Sequence, residues 1–134
     1  MHESYVSLEI AKLLKKLGFK WGCRAAWDLT FPDEPYLNYD AVYQTDFNND
    51  VDDILYAPTL EVAQRWLREV KDIDVYIFPT TNNKRGCVYE WGIKTFGRAL
   101  WVEGQPYTNQ YETYEEAQEE GIKKALEMIL EKGE

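Results

Sequence analysis

The chain offers few side chains suited to nucleophilic or metal chemistry. Its one histidine, His2, lies next to the start, where chains fray. An imidazole there completes no Ser–His or Cys–His pair and no histidine metal set. The two cysteines, Cys23 and Cys87, stand 64 positions apart and form no CxxC pattern. That spacing gives no zinc or dithiol signature, so both are expected to be buried, reduced thiols. Two carboxylates alone can run acid–base catalysis. With 24 acids in the chain, however, no spacing singles out a pair. The run Asp46 to Asp52 has oxygen-bearing residues at the first, third and fifth places of a calcium loop. Its sixth place is Val51 instead of glycine and its twelfth is Ala57 instead of glutamate, so the template fails. Gly18, Gly22, Gly86, Gly92, Gly97 and Gly104 match no phosphate-cradling spacing. The residues therefore indicate no catalytic site, no cofactor and no metal.

Charge is more informative. The net charge is −9, and its distribution is uneven. From Ala25 to Gln64 there are nine acids and no Lys or Arg; the remaining fifteen acids equal the fifteen bases. The excess thus sits in one 40-residue segment. Such a balance opposes nucleic acid and anionic membranes, both of which require positive charge against phosphate. The partner it suits is a basic protein. Asp46, Asp50, Asp52 and Asp53 are the candidate docking residues, acting mainly on association rate. Aromatics make up 15% of the chain, with five Trp and ten Tyr. Tyr89 and Trp91 on a strand read as core, whereas Tyr107 and Tyr111 in a polar loop are candidates for contact with a partner.

Local patterns place these residues on elements. Ser7–Leu17 reads as a helix, with Ile10, Leu13, Leu14 and Leu17 at helical spacing, Ser7 as cap and Gly18 as terminator. Thr59–Val70 is a second helix with a stripe of Ala63, Trp66, Leu67 and Val70. Ile73–Phe78 is a strand apolar on both faces, expected to be central and to end at Pro79. Cys87–Lys94 and Arg98–Val102 are the next two strands. Thr113-Tyr-Glu-Glu116 is a capping box opening the last helix, and Gly121 within that helix is expected where another backbone packs closely. Residues 20–57 are hard to read: Cys23–Leu29 and Tyr39–Tyr43 are expected strands in a region broken by Pro32, Pro35 and Asn48-Asn-Asp50. No apolar run is long enough to span a membrane, and the start lacks the apolar stretch of a secretory signal. One cytoplasmic domain over residues 1–134 is expected. Its expected fold is α+β: an antiparallel sheet of three to five strands with two or three helices, and a C-terminal part in helix–strand–strand–strand–helix order. The last two helices should cover one face, with the first helix and residues 20–57 extending or covering the other.

Three stretches, Tyr5–Phe19, Ala57–Glu69 and Thr113–Leu126, resemble a family of small uncharacterised proteins from gut anaerobic bacteria and their phages. The resemblance implies a mobile-element or accessory protein and carries no activity. The element order over 59–131 is similar to that of a double-stranded-RNA-binding domain, which grips phosphate at the start of its last helix. Here that turn carries Glu115, Glu116, Glu119 and Glu120, which repel phosphate. The leading functional expectation is a non-catalytic protein-binding module that docks through its acidic segment or an aromatic surface. The alternatives are a small enzyme using paired carboxylates and an RNA-binding domain. A gel shift with duplex RNA or DNA at about 100 mM salt, where phosphate contacts still count, is expected to show no complex at low micromolar protein. A clear shift would overturn this charge argument.

Overall fold

The computed structural model describes residues 4–21, 25–38, 54–82, 86–95, 101–103 and 110–131. Helix α1 (Leu8–Lys16) starts at Ser7, whose hydroxyl accepts from the Ile10 amide at 3.3 Å. It stops in a Schellman motif. Gly18 takes φ +86°, its N–H donates to the Lys15 carbonyl at 3.1 Å, and the Phe19 N–H reaches the Leu14 carbonyl at 3.0 Å. That turn drives Phe19 into the core, where its ring meets Trp66 edge-on at 5.5 Å.

Residues 25–57 supply three short strands, β1 (Ala26–Asp28), β2 (Tyr36–Asn38) and β3 (Ile54–Tyr56). They form an antiparallel sheet in the order β2-β1-β3, with Trp27 paired to Leu37 on one side and Leu55 on the other. The expected strand at Cys23–Leu29 is present over Ala26–Asp28, with residues 23 and 24 outside the described residues. The expected strand at Tyr39–Tyr43 lies outside the described residues.

Helix α2 (Leu60–Val70) is capped by Thr59, which accepts from the Val62 amide at 3.3 Å. Leu60, Ala63, Trp66 and Leu67 are buried, but Val70 is 49% exposed. Val70 therefore leaves the expected stripe. It ends the last turn, just before the chain reverses at Asp72 (φ +57°).

The second sheet runs β4-β5-β6, from β4 (Ile73–Asn82), β5 (Gly86–Thr95) and β6 (Trp101–Glu103), again antiparallel. Among the described strands β5 is therefore central, and β4 stands at an edge. β4 also passes through Pro79 instead of ending there. The Gln64 side-chain amide donates to the Val75 carbonyl at 2.8 Å, so the odd-numbered residues of β4 turn their polar backbone groups away from β5. Pro79 shares that register and removes no bond from the β4–β5 ladder. The same alternation shows on β5, where Tyr89 exchanges backbone bonds of 2.8 and 2.9 Å with Tyr111 on its far side. Of the expected third strand Arg98–Val102, Trp101 and Val102 lie in β6, and Arg98–Leu100 lie outside the described residues.

Helix α3 (Tyr114–Glu131) lies across β4 and β5 and also packs on α1 and α2. The class is thus α+β with antiparallel pairing, and the C-terminal order is helix–strand–strand–strand–helix. The pairing is divided between two three-stranded sheets. Helix α1 packs against α3 instead of the far face of the sheet, with Lys123 of α3 bridging to Glu9 of α1 at 3.1 Å. One contiguous apolar cluster joins these layers, from Ile10 and Leu14 through Leu55, Trp66 and Val75 to Ile122 and Leu126.

Gly121 faces the second sheet, and its close neighbours are side chains instead of the expected backbone. A methyl group there would lie 2.8 Å from Val75 Cγ1 and 3.0 Å from Trp91 Cβ. Helix propensity alone favours alanine at such a position by about 1 kcal/mol. Overpacking a tight contact costs about 1–3 kcal/mol, and neither Val75 nor Trp91 Cβ has a soft torsion to yield. Gly121→Ala is therefore expected to destabilise the protein in denaturant melts. A gain in stability would mean that α3 can lift off the sheet.

Candidate functional site

A cleft of about 460 Å³ opens where the chain start, the β1–β2 hairpin, the start of α2 and the start of α3 meet. Its floor begins with Ser4–Ser7, which is pinned as an extended segment. The Val6 N–H donates to the Pro58 carbonyl at 3.0 Å, and the Ser4 carbonyl accepts from Leu60 at 2.8 Å. The Trp27 indole N–H donates to the Val6 carbonyl at 3.1 Å, tying β1 to this segment. Strand pairing sets Leu37 beside Trp27, and Leu60, itself almost fully buried, backs this apolar surface.

The rim is the start of α3, with Glu115, Glu116 and Glu119. Thr113 orients this turn: its hydroxyl accepts from the Glu116 amide at 3.1 Å and donates to the Glu116 carboxylate at 2.9 Å. The capping box differs in one detail from the expected reciprocal form, because the carboxylate takes the hydroxyl proton instead of a backbone donor. Glu115 and Glu119 stand one helical turn apart on the same side. Beside them, burial pushes the Tyr114 hydroxyl above its ordinary pKa, and the carboxylates of Glu61 and Glu115 push it the same way. The first turn of α2 thus adds negative charge next to the rim. None of the described lining residues is basic. Among the described residues no three acidic, His or Cys side chains converge closely enough to hold a metal ion.

The residues expected to dock a partner fall elsewhere. Asp46, Asp50, Asp52, Asp53 and Tyr107 lie outside the described residues. Tyr111 is half-buried and closes the edge of β5 opposite Tyr89. Burial raises its hydroxyl pKa; the nearby Trp91 indole opposes the shift, while Glu120 and Glu116 add to it. Trp91 is buried under α3, as expected of a core residue, whereas Tyr89 is half-buried outside the core cluster and packs edge-on to the exposed Tyr114 at 5.9 Å. Cys87 corrects an expectation, for it is exposed. It stands in the second position of β5, opposite Thr81 near the hairpin end and beyond the reach of α3. Cys23 lies outside the described residues.

The β1–β2 connection is organised by Asp28. One carboxylate oxygen accepts from the Thr30 hydroxyl at 2.6 Å and the Thr30 amide at 2.9 Å, and the other from the Tyr36 hydroxyl at 2.9 Å. These bonds, the Thr30 hydroxyl first, hold the carboxyl below its usual pKa. Their contribution to stability is complete above about pH 4 and is lost as pH falls through the lowered value.

Trp27, Leu37 and Leu60 carry no signal in sequence that distinguishes a cleft from a core. The glutamates of 115–119 were legible as a helix start, and their spacing alone places Glu115 and Glu119 on one side. No family model, curated protein or solved structure matches the chain. One thiol, Cys87, is expected to react with Ellman's reagent in the native state, and Cys87→Ser should remove that reactivity. Protection of Cys87 until denaturant is added would contradict its placement.

Proposed function

We propose that this chain is a non-catalytic, protein-binding module whose cleft receives a basic segment of a partner protein. The observation that carries this reading is the pairing of an apolar floor, Trp27, Leu37 and Leu60, with a carboxylate rim, Glu115, Glu116 and Glu119. A Lys or Arg side chain matches both halves. Its aliphatic stem lies along apolar surface while its charged head reaches the rim, and an indole face adds attraction for the cation. The net charge of −9 works in the same direction, drawing basic partners in at low ionic strength. An accessory role of this kind also suits the resemblance to small proteins of gut anaerobes and their phages.

The test uses a short synthetic peptide alternating Lys and Leu, with a Glu/Leu peptide as control, titrated into the full chain. Binding of the Lys/Leu peptide alone is expected, weakening as salt is raised. Glu115→Gln combined with Glu119→Gln should reduce affinity by about tenfold, corresponding to about 1.4 kcal/mol. Equal affinity of the double variant and the parent would overturn the assignment of this cleft.

A further inference from the structure

The hairpin that supplies Trp27 and Leu37 to the cleft carries a second feature at its tip. Thr30 and Phe31 lead into Pro32-Asp33-Glu34, and the Glu34 N–H donates to the Phe31 carbonyl at 2.9 Å. This is a β-turn with proline at its second position, where the ring already holds the required φ. The Asp28 carboxylate fixes both feet of the turn, through Thr30 on one side and Tyr36 on the other. On this rigid platform Phe31 is 72% exposed, with Pro32 exposed beside it. Tyr36, 52% exposed, belongs to the same hairpin. Folding draws almost nothing from Phe31, since most of its ring surface stays in water. A rigid aromatic that is already extended costs little ordering entropy on association. Its charged neighbours in the hairpin, Asp28, Asp33 and Glu34, are all acidic.

We propose that the Phe31 turn is a protein-docking element separate from the cleft, and that Phe31 enters an apolar surface bordered by basic residues on a partner. Apolar surface is needed to cover the ring, and positive charge to meet Asp33 and Glu34. An amphipathic basic helix presents both along one stripe, with lysines flanking leucines. The acidic cleft of a second copy does not fit, because its glutamate rim would face Asp33 and Glu34.

The probe is a synthetic Leu/Lys peptide patterned as an amphipathic helix, beside a scrambled peptide of the same composition. Both are titrated into the full chain, Phe31→Ala, Phe31→Leu, the paired Asp33→Asn and Glu34→Gln variant, and the cleft variant Glu115→Gln with Glu119→Gln. The parent and the cleft variant should bind the amphipathic peptide at least tenfold more tightly than the scrambled one. Phe31→Ala should lose that preference with an unchanged melting temperature, and Phe31→Leu should retain part of it. The paired Asn/Gln variant should associate more slowly, with a flatter salt dependence. Three results would each overturn the proposal. The parent could fail to distinguish the two peptides; Phe31→Ala could bind as the parent does; or the preference could vanish in the cleft variant alone, which would assign the peptide to the cleft.

Discussion

The close approach of α3 to the second sheet governs the rest of the structure. Glycine at 121 lets the helix settle onto Val75 and Trp91, and the helix then brings α1, α2 and both sheets into one apolar cluster. Its register is fixed by a polar thread through this apolar contact. The Gln118 amide, fully buried, donates to Gln64 of α2 at 2.6 Å, and Gln64 in turn donates to the backbone of β4. Burying an amide without partners costs about 1–3 kcal/mol on protein scales. A slide of α3 along its axis would break this thread, so the pair discriminates among positions that apolar packing alone would tolerate.

The cleft inherits its shape from that register. Because α3 is held at Gln118 and Gly121, its first turns face Ser4–Ser7 and the β1–β2 hairpin across the cleft. The carboxylates at this end have a structural use as well as an electrostatic one. Acidic side chains in a first helical turn are favoured by the helix dipole, and Glu116 also completes the cap with Thr113. A negative rim is therefore compatible with a stable helix start, while the same groups at the C-terminal end would oppose it. Trp27 likewise serves two ends, since its indole N–H holds the Val6 carbonyl while its ring lines the cleft.

Much of this architecture was legible, and the omissions have physical causes. Helix ends are written locally: Ser7, Thr59, Thr113 and Gly18 act on backbone groups within a few residues, so all four could be read from neighbours alone. The strands of the first sheet are three residues long, too short for an alternating pattern to stand out. Their pairing joins Trp27 to Leu55 across most of the region that lacked a clear reading. Pro79 looked like a strand terminator because the cost of a proline depends on which side its missing N–H would have faced, and that is a property of the sheet. The cleft was illegible for a related reason. It joins residues 4–7, 27, 37, 60 and 115–119, and only the folded register brings them together. Pro32 and Pro35 marked a break in the pattern, but nothing local singled out Phe31, whose exposure follows from where the hairpin tip points.

The outer side of β4 has a consequence for how the molecule behaves in a crowded solution. Among the described residues no strand pairs with that side, and an unpaired strand of ten residues is a template on which another extended chain can add, a common first step towards insoluble assemblies. Here the row of outward backbone groups is interrupted twice. Gln64 already occupies the Val75 carbonyl, and Pro79 has no hydrogen to offer. A passing strand therefore finds no continuous ladder along β4. The residues that seat α2 on this edge and carry the strand through its proline thus also guard the protein against its own stickiness, without drawing on its surplus of charge.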